Sequence, residues 1–189
     1  MPARTFLALD LDETIRDRLL AVKDRIGASG AKIRWVDRPQ LHVTLKFLGD
    51  VPDELAAEVC ARVAEAASRV QPFDFDVRGV LCVPPSGRTL RMFWAGVQDP
   101  TSRMAELHRH LDAALAALGL KDEDRAFRPH VTLARVRFVK DPQPLRAAAE
   151  PCRDEQFGAQ HAGDVVVYTS LLTPGGPVYT PVAQPLLGG

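Results

Sequence analysis

Apolar and polar residues alternate along this chain with two different periods. A period of two is typical of half-buried strands, and a period of 3.6 is typical of amphipathic helices. The strand pattern occurs in the segments 4–11, 33–36, 42–48, 73–83, 89–97, 130–135, 165–169 and 178–180. The helical pattern occurs at about 12–27, 53–70 and 101–118, and a short alanine-rich helix is expected within 142–150. Because several strands follow one another without a helix between them, we predict antiparallel pairing and the α+β class.

Local residue types predict where some of these elements end and what they bury. Asp12 is a suitable N-cap for the first helix, and Gly27 is a suitable residue to end it. We predict that Trp94 packs in the core and that Trp35 packs in the core or between lobes. The last residues, 186–189, are predicted to fray because chain ends are poorly ordered unless other elements hold them.

The tetrapeptide His-Val-Thr-Leu occurs twice, at 42–45 and at 130–133. Each copy follows shortly after an Arg-Pro pair, at 38–39 and 128–129. An internal repeat is informative because a duplicated segment dictates architecture. The repeat therefore predicts two similar half-domains, each of which delivers one histidine and one threonine to a shared place.

Alternation along the two copies predicts which side chains face that place. In the first copy the polar face carries His42, Thr44 and Lys46, whereas Phe47 falls on the apolar face with the valine and leucine. In the second copy the polar face carries His130 and Thr132. The apolar faces would anchor the strands, and the polar faces would line a cleft.

Paired histidines and threonines suit one kind of chemistry. A neutral imidazole accepts a proton and an imidazolium donates one, and both forms are accessible near a pKa of about 6.5. Two such groups across a cleft can act as base and acid, each contributing roughly 10²–10⁴-fold to the rate. The threonine hydroxyls can hydrogen-bond an oxyanion, which suits in-line displacement at phosphorus without a metal or a covalent nucleophile. A single His-x-Thr is weak support, and duplication of a structural strand could also leave two copies.

Six segments in order along nearly the whole chain carry a more specific resemblance: 4–9, 35–49, 93–97, 127–135, 170–172 and 176–179. With these segments the chain resembles the 2H phosphoesterase superfamily. Within that superfamily it looks like the bacterial RNA 2′,3′-cyclic phosphodiesterases, which are also called 2′-5′ RNA ligases. The resemblance implies one domain over 1–189, built of two intertwined, pseudo-symmetric lobes. Each lobe would be an antiparallel sheet flanked by helices, with the two motif strands facing across a central cleft.

The resemblance also implies a reaction and a role for each motif residue. The reaction is metal-independent hydrolysis of a terminal 2′,3′-cyclic phosphate on RNA or a nucleotide, which leaves a 2′-phosphate. His42 would protonate the departing 3′ oxygen, and His130 would activate the attacking water. Thr44 and Thr132 would hold nonbridging phosphate oxygens, where charge develops in the transition state. Sequence alone does not separate the acid from the base, because the two copies are nearly equivalent.

Three further residues are candidates for the same site. Arg135 matches the family as a phosphate ligand, although strict alternation from His130 puts it on the wrong face unless the strand bulges or ends there. Lys46 lies on the cleft face by alternation and is otherwise a solvated lysine. Phe6 is a candidate ring for stacking a base, or plain packing.

Composition narrows the surroundings of this site. The formal net charge of the 189 residues is +0, which argues against a protein that coats long nucleic acids. Only five of the 24 basic residues are lysines, and arginine suits phosphate recognition, although genome composition could produce the same bias. No cysteine or histidine pattern has zinc spacing, so no metal or cofactor is expected. Without a membrane-length apolar segment or a signal-peptide pattern, we predict a cytoplasmic, monomeric protein.

Two alternative functions use the same residues. One is a module that binds RNA ends or nucleotides without turnover, which the intact motifs disfavour but do not exclude. The other is the reverse reaction, in which a cyclic phosphate is joined to a 5′-hydroxyl through a 2′-5′ bond. Bulk water should favour hydrolysis over this ligation.

Overall fold

A computed structural model describes residues 3–27, 30–120, 126–174 and 176–189. Its four helices are α1 (Glu13–Ile26), α2 (Ala56–Ser68), α3 (Arg103–Leu115) and α4 (Gln143–Ala149). Its nine strands are β1 (Ala3–Asp10), β2 (Lys32–Trp35), β3 (His42–Val51), β4 (Phe73–Val83), β5 (Met92–Gln98), β6 (His130–Phe138), β7 (Gln156–Ala162), β8 (Val166–Thr173) and β9 (Gly176–Ala183). The predicted α+β class is confirmed.

The strands form one sheet, and its two halves have matching arrangements. The spatial order is β7-β4-β5-β6-β3-β1-β8-β9, and every pairing within it is antiparallel. The middle of this order lies between the two motif strands, with four strands on either side. β3 and β6 share a single register position, Val43 opposite Val131, and β2 then pairs with the rest of β6. The predicted arrangement of two pseudo-symmetric lobes is therefore confirmed.

The helices pack on these halves in pairs, with α2 against α3 and α1 against α4 and β7. Each helix buries the apolar stripe that its 3.6-residue period predicts; in α1 the stripe is Ile15, Leu19, Val22 and Ile26. Although α1 follows β1 directly, it packs on β7, which belongs to the other half of the sheet. The chain therefore crosses between the halves. Within the described ranges, no helix is both long and apolar enough to cross a membrane.

The ends of the elements show where local signals sufficed. Asp12 and Gly27 flank α1 as predicted, and Gly27 takes a positive φ of 66°, which glycine adopts without strain.

The prediction that the C-terminus frays was wrong. The Leu187 side chain is buried, and its N–H donates to the Gly163 carbonyl at 2.9 Å. Tertiary contacts hold this segment in place, and they cannot be read from its own residues.

β-Bulges interrupt both motif strands at matching positions. In the pairing of β1 with β3, Leu7 lies opposite Lys46 and Ala8 lies opposite Thr44, so Leu45 is the extra residue. In the pairing of β5 with β6, Phe93 lies opposite Ala134 and Trp94 lies opposite Thr132, so Leu133 is the extra residue. An extra residue shifts the alternation of everything that follows it. The bulges therefore decide which side chains reach the cleft beyond each His-Val-Thr.

Candidate active site

Four motif side chains surround the centre of the sheet. Because Val43 lies opposite Val131 in an antiparallel pair, His42 comes beside Thr132, and Thr44 comes beside His130. The valines are fully buried, so the histidines and threonines share the other face. In such a block the two histidines lie on one diagonal and the two threonines on the other, with diagonal neighbours typically about 7–8 Å apart. The structure thus brings together all four predicted motif residues.

His42 lies in a cluster of aromatic rings. The Phe6 ring stacks on its imidazole at 5.0 Å between centroids, and the Tyr179 ring meets it edge-on at 5.5 Å. Its Nε2 is 3.1 Å from the Thr44 hydroxyl oxygen, and the ring also hydrogen-bonds the backbone of Gln40. These contacts fix the orientation of the ring.

His130 has a different support in the other half. Its ring stacks on Trp94, with centroids 3.6 Å apart and planes at 19°. Its Nδ1 donates to the Arg128 carbonyl at 2.7 Å, which leaves Nε2 as the free nitrogen of the neutral ring. The prediction that Trp94 packs in the core was wrong: it pairs with Thr132 across the strands and lies on the same face. The bulge in β6 produces this pairing.

The environments of both histidines favour the neutral imidazole. Burial is the main cause that lowers the pKa of His42 from 6.5 to about 4; the backbone hydrogen bond to Gln40 opposes it, and the charges of Arg16 and of a protonated His130 add to it. Burial also lowers the pKa of His130, and the nearby Arg135 guanidinium adds to the effect. The effect of His130 on the pKa of His42 shows that the two rings are close enough to interact. Both rings are therefore neutral proton acceptors near pH 7 unless a bound anion raises their pKa values.

A cleft of about 150 Å³ opens over this block. Its walls include His42, Thr44 and Thr132. His130 is not one of its lining residues and lies beside Thr44 across the strand pair. The cleft is open to solvent on one side, and its volume is large enough for a phosphate group. The base and the rest of a chain would lie in the open part.

Arg135 also lines the cleft. The bulge at Leu133 turns its side chain to the face of Thr132, which is the condition that sequence analysis set for it. Its charge influences the pKa values of both His130 and Tyr179, so it acts on two walls of the cleft.

Two other predicted contacts do not reach the cleft. Lys46 was expected on the cleft face, but the extra residue Leu45 turns it to the opposite face, where its ammonium bonds Asp112 of α3. Phe6 does lie on the cleft side of β1, but it is only 2 % exposed beneath His42 and the tyrosines. A base cannot stack on a covered ring, so of the two alternatives for Phe6 the structure supports packing.

Several cleft residues were missed. Phe47, predicted on the apolar face, is 46 % exposed and lines the cleft, because the bulge exchanges its position with that of Lys46. The others come from other segments and carry no repeat signal; they are Arg34, Trp35, Val36, Gln40, Arg137, Pro177 and Tyr179. Gln40 donates to the Pro177 carbonyl at 2.8 Å and so joins β9 to the loop before β3. One feature of the sequence could have indicated the bulge in β6. Strict alternation from His130 puts residue 134 on the polar face, but that residue is the apolar Ala134.

The fold and the paired histidines are those of a phosphoesterase, and comparison with known families agrees. The sequence model of the LigT like Phosphoesterase family matches residues 9–94 and 96–179. The two matched segments divide the chain into its two motif-bearing parts. The chain belongs to the LigT-like phosphoesterase family.

Individual relatives extend this finding over the full chain. The chain is 33% identical over 180 residues to the RNA 2′,3′-cyclic phosphodiesterase of Methanothermobacter thermautotrophicus, covering 95% of this chain and 96% of the relative. Among solved structures, TT0787 of Thermus thermophilus superposes with a TM-score of 0.81 at 28% identity, over 98% of both chains. Escherichia coli LigT complexed with ATP superposes with a TM-score of 0.70 at 25% identity, over 100% of both chains.

Proposed function

We propose that this protein hydrolyses 2′,3′-cyclic phosphate ends of RNA or nucleotides to 2′-phosphates, using His42 and His130 as its proton donor and acceptor. The observation that carries the proposal is the group of two histidines and two threonines around Val43 and Val131, of which His42, Thr44 and Thr132 line one cleft. The name of the M. thermautotrophicus relative and the nucleotide bound by E. coli LigT support the same substrate class.

The proposed reaction is an in-line displacement at phosphorus. A water oxygen forms a bond to phosphorus while the bond from phosphorus to the 3′ oxygen breaks. His130 takes a proton from the water at Nε2, and His42 gives a proton to the 3′ oxygen. Each histidine then exchanges its proton with solvent and returns to its starting state. Thr44, Thr132 and Arg135 donate hydrogen bonds to the nonbridging oxygens, which gain charge in the transition state.

The assignment of His42 as the acid follows the family resemblance and not its pKa. A pKa lowered to about 4 leaves few protonated His42 rings near pH 7, whereas a general acid works best with a pKa near the working pH. In the free protein this group is neutral near pH 7, so the acid form requires a bound anion. The negative charge of a phosphate held between the two rings favours the protonated ring. Binding of the substrate would therefore favour the protonated form of His42 that the reaction needs.

The open part of the cleft supplies contacts for the nucleoside. Phe47 and Tyr179 present rings on one side, and stacking on such rings is worth about 1–3 kcal/mol per base. Burial raises the pKa of Tyr179, which keeps its phenol protonated as a hydrogen-bond donor. One copy of the chain supplies all of these groups, so we expect a monomer to be active and to need no metal or cofactor.

The test is incubation of the purified protein, with EDTA, with a 2′,3′-cyclic nucleotide and with a short RNA that ends in a cyclic phosphate. The proposal expects release of 2′-phosphate and a loss of roughly 10²–10⁴-fold in His42→Ala and in His130→Ala. His161→Ala is the matched control, since His161 is an exposed histidine paired with Asp74 on the outer strands. It should retain wild-type turnover.

Other outcomes would reject the proposal. Turnover that survives both substitutions, or that stops with EDTA, would exclude the paired-histidine mechanism. Release of a 3′-phosphate would reverse the choice of leaving oxygen. Binding of the RNA end without any turnover by the wild type would favour an end-binding module.

A further inference from the structure

We infer that the cleft holds a second phosphate, the one on the 5′ oxygen of the terminal nucleotide, and that Arg34 and Arg137 bind it. This inference rests on the proposed function and deepens it. The preferred substrate would then be a cyclic phosphate end that carries a 5′-linked phosphate, as the end of any RNA chain does. A free 2′,3′-cyclic nucleoside monophosphate would be a poorer substrate.

The first support is the charge of the cleft. Its described lining residues include three arginines, Arg34, Arg135 and Arg137, and neither an aspartate nor a glutamate. A 2′,3′-cyclic phosphate carries one negative charge, and Thr44, Thr132 and Arg135 already surround its position. Two guanidinium groups therefore line the cleft beyond what one cyclic phosphate needs. A fork of N–H donors suits a phosphate because it can bind two oxygens at once.

The second support is the register of β2 and β6. Arg34 lies directly opposite Arg135 in this antiparallel pair, so two like charges are cross-strand neighbours. Like charges directly opposite each other repel, and an anion bound beside them would weaken that repulsion. Arg137 is the extra residue of a bulge in the same pair, because Ile33 lies opposite Val136 and Lys32 lies opposite Phe138. Bulges commonly re-aim a side chain next to a site, and here the bulged side chain lines the cleft.

The third support is the packing of Arg34 against Gly176. A Cβ built on Gly176 would lie 2.5 Å from the Arg34 guanidinium nitrogen Nη2 and 3.7 Å from the Gln40 amide nitrogen. The missing side chain of Gly176 therefore provides the space that the guanidinium occupies. The start of β9 thus holds the head of Arg34 at the rim of the cleft.

The distance along β6 from Thr132 to Arg137 is the next support for a second phosphate. Thr132 marks the reacting phosphate, and Arg137 lies five residues further along β6. At about 3.3 Å per residue this distance is roughly 16 Å along the strand, less the shortening at two bulges. A long arginine side chain reaches back over part of that distance. One nucleoside, which separates consecutive phosphates of RNA, fits between the two positions.

The experiment compares three substrates with the same base: a nucleoside 2′,3′-cyclic phosphate, its 5′-phosphorylated form, and a dinucleotide that ends in the same cyclic phosphate. For the wild type we expect kcat/KM to be roughly tenfold or more higher for the two substrates that carry a second phosphate, as for one charge-assisted contact. Arg137→Gln and Arg34→Gln should each remove most of this preference. Turnover of the plain cyclic nucleotide should fall less than turnover of the other two substrates, so the ratio of the kcat/KM values is the readout.

Two controls sharpen the comparison. Arg62→Gln removes an arginine on the outer face of α2 that pairs with Glu58, and it should leave the preference intact. Raising the salt concentration should lower log kcat/KM against log salt more steeply for the doubly phosphorylated substrates, by about 0.7 per neutralised phosphate. Arg137→Gln should restore the shallower slope.

The outcomes separate this inference from the proposed function. If the wild type turns over none of the three substrates, the proposed function fails. If it turns over all three with equal kcat/KM, or if both arginine variants keep the wild-type preference, only the second phosphate site is rejected. A preference for the 5′-phosphorylated mononucleotide over the dinucleotide would identify nucleotides as the source of the second phosphate, and the reverse would identify RNA.

Discussion

The two motif strands share a backbone plan and differ in what surrounds it. Each has a histidine, a threonine two residues later and a bulge at the residue after the threonine. His42 lies within a ring cluster, whereas His130 stacks on a single partly exposed tryptophan. The fifth residue after each histidine lines the cleft in both halves, but it is Phe47 in one half and Arg135 in the other.

Because of this difference, the two ends of the cleft are chemically unlike. The duplicated part supplies matched groups around phosphorus, where near-symmetry suits attack and departure on opposite sides. The diverged part supplies an aromatic wall at one end and a cationic wall at the other. A nucleotide would therefore have one preferred orientation, with its base near Phe47 and its phosphates near Arg135. If the proposed function holds, the repeated residues carry out the chemistry, and the residues that differ between the two copies orient the substrate.

The largest expected effect is on stability, and it tests whether the rings that pack against His42 are more buried than the ring that packs against His130. Phe6→Ala empties a fully packed site beneath His42 and should cost roughly 3–5 kcal/mol of unfolding free energy, measured by urea denaturation. Trp94→Ala is the counterpart in the other half and should cost less, because Trp94 is partly exposed and can be replaced by water. An equal or greater cost in Trp94→Ala would contradict the comparison.

The next effect tests the diverged position of the repeat. Arg135→Gln removes a charged donor beside the reacting phosphate and should lower kcat roughly 10²-fold. Phe47→Ala, at the matching position, should instead raise KM with little change in kcat, because a stacked base is held equally before and during reaction. Steady-state kinetics on a cyclic nucleotide separates the two results. Identical changes in both variants would mean that the two walls do not differ in role.

The pH profile tests both histidines together. The productive form has one neutral and one protonated imidazole, and burial lowers both free-enzyme pKa values below 6.5, to about 4 for His42. A plot of kcat/KM against pH should therefore peak between about pH 4 and 6.5 and approach a tenfold fall per unit at higher pH. The profile of kcat should shift to higher pH, because bound phosphate favours the imidazolium. An optimum of kcat/KM above pH 7 would oppose the proposed pair.

The smallest effect tests the reversed positions of Lys46 and Phe47. Lys46→Met keeps a similar volume on the helix side of β3 and should leave kcat/KM within about twofold. The loss of its bond to the half-exposed Asp112 should change the free energy of unfolding by about 1 kcal/mol or less. A large loss of activity with normal stability would indicate that Lys46 takes part in the cleft after all.

Much of the fold was predictable because period and composition are local properties. The stripe of α1, most of the stripes of α2 and α3 and the alternation of β4 formed as predicted. Asp12 and Gly27 occupy the two ends of α1, although Asp12 makes no side-chain cap hydrogen bond. Local pattern was wrong where a bulge intervened. It placed Lys46 in the cleft and Phe47 in the core, and the reverse holds, because one extra residue exchanges the two faces of a strand.

The sequence by itself determined the strand that presents each histidine and threonine, since these residues precede the bulges and their alternation is undisturbed. Only the tertiary structure decided their neighbours. Tyr179 reaches His42 from the last strand, and Trp94 reaches His130 through the shifted register of β5 and β6. Arg34 meets Arg135 across a pairing that joins the two halves of the chain. Residues so far apart in sequence become neighbours through register and packing, and a single sequence carries no local pattern for either.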